Sequence, residues 1–152
     1  MEDSIKAKLL TACYKYASEK TEYLQRAIRD LQDSANEETK SSAGDKYETG
    51  RAMAQLEIEK LAAQLHDVSS LRNTLDKIAT RQDETNIMLG SVVQTNNGNY
   101  FIAISAGNFV VGGQSYFAVG GHTPLALALK GRKSGDVVEF NKKIITILSV
   151  AN

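Results

Sequence analysis

Three residue types are scarce or missing in this chain. Among 152 residues there is one cysteine, one proline and no tryptophan. A single cysteine, Cys13, excludes an internal disulfide and any zinc site built on cysteine pairs. Eighteen Lys+Arg balance 18 Asp+Glu, so the net charge is +0. That excludes a globally basic nucleic-acid coat and an acidic disordered tail. No apolar run approaches the ~20 residues that span a bilayer. Met1-Glu2-Asp3-Ser4 opens acidic, with no basic segment before an apolar one, unlike a secretory signal. These absences predict a cytoplasmic protein without membrane contact or structural metal.

What is present is divided unevenly. The stretch from Ser4 to Arg81 has no proline and only Gly44 and Gly50 among its glycines, whereas nine glycines follow Asn86. Residues 1–84 hold 16 acidic and 13 basic side chains, a net of −3; residues 85–152 hold two and five, a net of +3. The shift predicts two domains, 1–84 and 85–152.

The first domain has helical periodicity. Tyr47, Ala54, Leu61, Val68 and Leu75 recur every seven residues; Ile58 and Leu65 fill the intervening position, and Ile78 extends the stripe. This is the alternating 3-4 spacing of a coiled-coil seam. An earlier stripe runs Ile5, Leu9, Ala12, Tyr16, Tyr23, Ala27 and Leu31, with a polar break at Lys20. Two helices of roughly 30 residues, at ~1.5 Å per residue, reach roughly 45 Å each. Neither buries its stripe alone, so the pattern predicts an antiparallel hairpin. Ser41-Ser42-Ala43-Gly44-Asp45 is the expected turn. Asp45 or a nearby serine would cap the second helix, and Gly44 suits the bend.

The second domain alternates short apolar runs with turn signals. Strands are expected at 89–95, 100–105, 115–119, 137–140 and 144–150. Asn97-Gly98 marks a hairpin. Pro124 opens a short helix over Leu125 to Lys130, stopped by Gly131. Five strands and one helix predict a small antiparallel α+β domain.

Chemistry-bearing residues are few. Cys13 on a helix is a packing residue. His66 lies beside seam residue Leu65 and has the position of a solvated helix-face histidine; His122 precedes a helix start. Gly112-Gly113 and Gly120-Gly121 match neither a P-loop nor a dinucleotide fingerprint. The informative cluster is acidic. Asp30, Asp33, Glu37, Glu38, Asp45 and Glu48 face only Lys40 and Lys46, a local net of −4 over 30–48. Such a cluster is either a solvated turn or a carboxylate set for a hard cation such as Mg²⁺. That ion takes one or two protein carboxylates and completes its shell with water and phosphate. Glu38 and Asp45 are the candidate Mg²⁺ ligands, with Glu37 beside them.

The run Thr123-Pro124-Leu125-Ala126-Leu127-Ala128-Leu129-Lys130-Gly131-Arg132-Lys133-Ser134-Gly135-Asp136-Val137-Val138 is similar to a C-terminal motif of the bacterial Gre transcript cleavage factors. Leu89-Gly90-Ser91-Val92-Val93 resembles the segment that opens their C-terminal domain, and Tyr47 with Arg51 matches their Tyr-x-x-x-Arg. The likeness is strong over 87–150 and moderate over 1–82. At the tip it departs: the family places its acids in the loop as Asp-x-x-Glu-Asn or similar. Here Glu37 and Glu38 stand on one side of an inserted bend and Asp45 on the other.

The resemblance implies an FKBP-like C-terminal domain, without implying isomerase activity, and a hairpin that enters the secondary channel of RNA polymerase. It implies that Glu37, Glu38 and Asp45 help hold a second Mg²⁺ for hydrolysis of backtracked RNA, nascent RNA being met only within the complex. In that arrangement the protein is no enzyme itself: it stimulates the nuclease of the polymerase. Gly121, Thr123, Pro124 and Gly131 are the candidate polymerase contacts. A channel regulator without cleavage, or a coiled-coil adaptor with another partner, are the alternative expectations.

Overall fold

A computed structural model describes the backbone over 2–40, 44–81 and 85–152, and side chains over 5–37, 49–81 and 85–152. Two helices come first, α1 (Glu2–Lys40) and α2 (Gly44–Ala79). Six strands and a short helix follow: β1 (Val92–Thr95), β2 (Gly98–Ala103), β3 (Gly107–Val111), β4 (Gln114–Gly120), α3 (Pro124–Leu129), β5 (Val137–Phe140) and β6 (Lys143–Ala151). The layout is α+β. By contact the chain forms two compact units, one of 1–16 with 72–152 and one of 17–71.

In the 17–71 unit the two helices pack together in antiparallel fashion. Ala17 and Leu24 meet Val68, with Leu61 and Leu65 against them. Further along, Gln32 to Asn36 of α1 share a groove with Arg51 to Ile58 of α2. Residue numbers rise on one arm as they fall on the other. The α2 seam follows the heptad spacing: Ala54, Ile58, Leu61 and Leu65 are half-buried, and Val68 is buried. The α1 seam differs from expectation. Tyr23 is 66% exposed, and Leu24 takes the inward position at 2%.

In the larger unit the order of the single sheet is β3-β4-β2-β1-β6-β5. It is not wholly antiparallel, because β2 and β4 run parallel, Tyr100 opposite Phe117 and Ile102 opposite Val119. The cause is β3, a strand not anticipated at 107–111. It pairs only with β4 at the sheet edge, so β4 inserts between β2 and its sequence neighbour. Gly112 and Gly113, at φ 61° and 80°, form the tight turn that reverses β3 into β4. The β1–β2 turn centres on Asn96-Asn97, with Gly98 after it at φ 137°.

The sheet is covered on both faces over its centre, which is why β2 is buried at consecutive positions from Tyr100 to Ala103. One face carries Val93, Tyr100, Ile102, Val119, Val138 and Ile147, closed by Ala126 and Leu129 of α3. On the other, Ile5 of α1 shares a small cavity of about 50 Å³ with Val92, Gln94, Tyr116, Ser149 and Ala151. The same helix ends bury Leu9, Cys13, Leu75 and Ile78. Arg81 donates from its guanidinium to the Leu89 carbonyl at 2.6 Å. None of the described helices is long and apolar enough to cross a membrane.

Candidate functional site

The acidic segment straddles the end of α1 and the start of α2. Asp30, Asp33 and Glu37 are exposed on α1. The side chains of Glu38 and Asp45, the two expected Mg²⁺ ligands, lie outside the described residues, as do those of Tyr47 and Glu48 and, of the expected turn at 41–45, residues 41–43; α2 already begins at Gly44, so Gly44 and Asp45 belong to the helix rather than to the turn. Among the described residues no group of three or more His, Cys, Asp or Glu is placed to hold a metal ion. What is described next to the tip is an open groove of about 360 Å³. Alanines Ala35 and Ala54 and Ile58 line it together with the polar Gln32, Asp33, Asn36, Arg51 and Gln55. Arg51, which carries half of the Tyr-x-x-x-Arg likeness, therefore lines the same groove as Asp33 and Asn36.

Segment 123–138 is described completely. The Thr123 hydroxyl accepts from the Ala126 N–H at 3.3 Å and donates to the Gly120 carbonyl at 2.8 Å. It caps α3, and Pro124 occupies the first turn, where its missing N–H costs nothing. The helix ends with the Lys130 N–H on the Ala126 carbonyl, and Gly131 follows at φ 80°. Gly131 then donates to the Ile87 carbonyl at 2.8 Å while Ile87 donates to Arg132 at 2.7 Å. Gly135 turns at φ 93° and donates to Ile147. The Asp136 carboxylate accepts from the Lys133 N–H at 3.0 Å, and the Asp136 carbonyl receives the Ile147 N–H at 2.9 Å. Gly121 is half-buried; a Cβ there would lie 3.4 Å from a Leu89 methyl. Of the four expected polymerase contacts, Thr123 and Gly131 thus have structural duties, and Pro124 and Gly131 are exposed. Leu127, 56% exposed, stands on the outer side of α3.

The other singled-out residues have plain surroundings. Cys13 is fully buried, and burial pushes its thiol up to about 11. His66 and His122 are exposed. Tyr100, Phe101 and Tyr116 fill the core, whereas Phe117 is 49% exposed. The Tyr14 hydroxyl donates to the Asp76 carboxylate across the two helices; that hydrogen bond holds the Tyr14 phenol above its ordinary range.

One surface was not anticipated. Val137 on β5 and Ile144 and Leu148 on β6 are 57%, 67% and 59% exposed. In the β5–β6 register, Val137 lies opposite Thr146 and Glu139 opposite Ile144. Val137, Glu139, Ile144 and Thr146 therefore share one sheet face, because directly opposed residues point the same way. The signal was the unbroken run Ile144-Ile145-Thr146-Ile147-Leu148, apolar at both parities where a half-solvated strand would alternate.

No protein-family model matches this chain, and no curated protein matches it.

Proposed function

We propose that this protein is a Gre-type transcription elongation factor. It binds bacterial RNA polymerase and stimulates Mg²⁺-dependent cleavage of backtracked RNA through the secondary channel. The observation that carries the reading is the pairing of an antiparallel helical hairpin, acidic where its arms meet, with a sheet domain containing the 123–138 motif. In this reading the domain over 85–152 is FKBP-like and anchors the polymerase. The exposed Pro124, Leu127 and Gly131 suit that contact, and its +3 balance suits an acidic partner surface. Glu37, Glu38 and Asp45 supply carboxylates that help the polymerase hold its second Mg²⁺. Bound there, the pair of ions would supply Lewis-acid chemistry for the attacking water and the leaving oxygen. The −4 segment approaches a bound cation readily, while RNA phosphates repel it until metal intervenes.

The test uses stalled polymerase complexes containing 3′-extended, backtracked RNA. Adding the protein with Mg²⁺ should shorten the RNA, and the protein alone should cleave nothing. A second reading, a channel regulator without cleavage, is favoured by one feature: the acids stand on opposite sides of the inserted bend. It predicts inhibited nucleotide addition with RNA of unchanged length. Failure to capture polymerase subunits at all would leave the coiled-coil adaptor.

A further inference from the structure

The two ends of the 17–71 unit are built differently. At one end Ala17, Leu24 and Val68 are 0%, 2% and 4% exposed, a dry layer between the helices. Beyond that layer, over 25–37 and 49–60, no described residue is buried. Leu31, Ala35, Ala54 and Ile58 are half-buried there. Ala35, Ala54 and Ile58 line the groove of about 360 Å³ between the arms. Its lining is largely amide, carboxylate and guanidinium, which water solvates as well as a neighbouring helix does. The large apolar side chains Met53 and Leu56, each 66% exposed, point away from the seam.

Local factors act in the same direction. Gly50 lies inside α2, where glycine is among the poorest helix formers. The segments beyond Leu24 have little buried packing to hold them.

We propose that the distal hairpin, 25–37 with 49–60, opens as a separate unit while the Ala17–Leu24–Val68 layer, with Leu61 and Leu65 against it, stays closed. The boundary is the last fully buried seam residue, Leu24. Opening exposes little new apolar surface, so it occurs far more often than unfolding of the layer behind it. It needs no polymerase and does not rest on the functional reading above.

Hydrogen exchange read by mass spectrometry on the full chain tests this. Amides over 28–37 and 51–60 should exchange at least tenfold faster than those over 17–24 and 66–71. Ala54→Leu, which fills the groove, should slow distal exchange at least threefold. Equal protection on both sides of Leu24 would overturn the proposal whatever the variant does. So would fast exchange confined to the last turn of each helix, which is ordinary fraying.

Discussion

Segments 123–138 and 30–48 answer to different demands. The first has the strongest likeness to the Gre factors, and its hydroxyl cap, its left-handed glycines and its Asp136 carboxylate are all engaged inside the fold. The second has the acids on which the implied chemistry depends, and Asp30, Asp33 and Glu37 stand exposed on a helix end. A motif that closes a helix and turns the chain into β5 tolerates little change without unfolding. An exposed acidic end can change its loop and its acids at small cost to the fold. In the proposed reading, likeness gathers where geometry is demanding, while the cleavage turns on the part least constrained by folding.

The contrast is sharpest where stability is concerned. Leu129 is fully buried under the sheet, so Leu129→Ala should cost about 2–5 kcal/mol in urea unfolding. Glu38→Gln combined with Asp45→Asn should change stability by only about 0.5 kcal/mol, as ordinary surface substitutions do. RNA cleavage in stalled complexes should nonetheless fall at least tenfold, about 1.4 kcal/mol of barrier, with polymerase binding intact. Full cleavage by the double amide would reduce the acidic end to a solvated turn and erase the contrast.

Thr123 sits on the dividing line, since it caps a helix and is a candidate contact. Thr123→Ala should destabilise by about 1 kcal/mol, and Thr123→Ser should recover most of that. Weakened polymerase affinity that persists in the serine variant would assign the methyl group to the interface. The smallest effect is expected outside both segments. Tyr14→Phe removes an exposed hydrogen bond to Asp76 and should cost a few tenths of a kcal/mol at neutral pH. The folded phenol titrates above its unfolded value, so that contribution is complete below about pH 10. It is lost as pH rises through the folded value. The gap between parent and variant should close there; a constant gap would assign the effect to packing.

Much of this architecture was legible beforehand, for reasons that differ along the chain. The α2 seam followed directly from its heptad because Ala54, Ile58, Leu61, Leu65 and Val68 keep strict 3-4 spacing. On α1 the buried steps are Leu9, Cys13, Ala17 and Leu24. Two consecutive steps of four rotate the stripe, and small side chains do the packing, so Tyr23 looked the better seam residue and was not. The α3 cap was readable because Thr-Pro and Lys-Gly are local signals. Strand β3 was not, since Gly107-Asn108 resembles a breaker. The parallel β2–β4 pairing was not either: turn signals specify only which neighbours reverse, never which strands later meet. Of the candidate site, the sequence located the acidic cluster but neither the groove beside it nor the apolar β5–β6 face, because both depend on residues brought together by folding.

Cys13 gives the molecule a built-in clock. It is the only cysteine, and burial keeps its thiol protonated at neutral pH, whereas the thiolate is the species that reacts. A thiol-directed reagent can therefore tag the chain only when the packing around Cys13 opens. Excursions of the far end of the hairpin leave the count at zero. Each molecule tagged marks one visit to a state in which the packing around Cys13 has come apart.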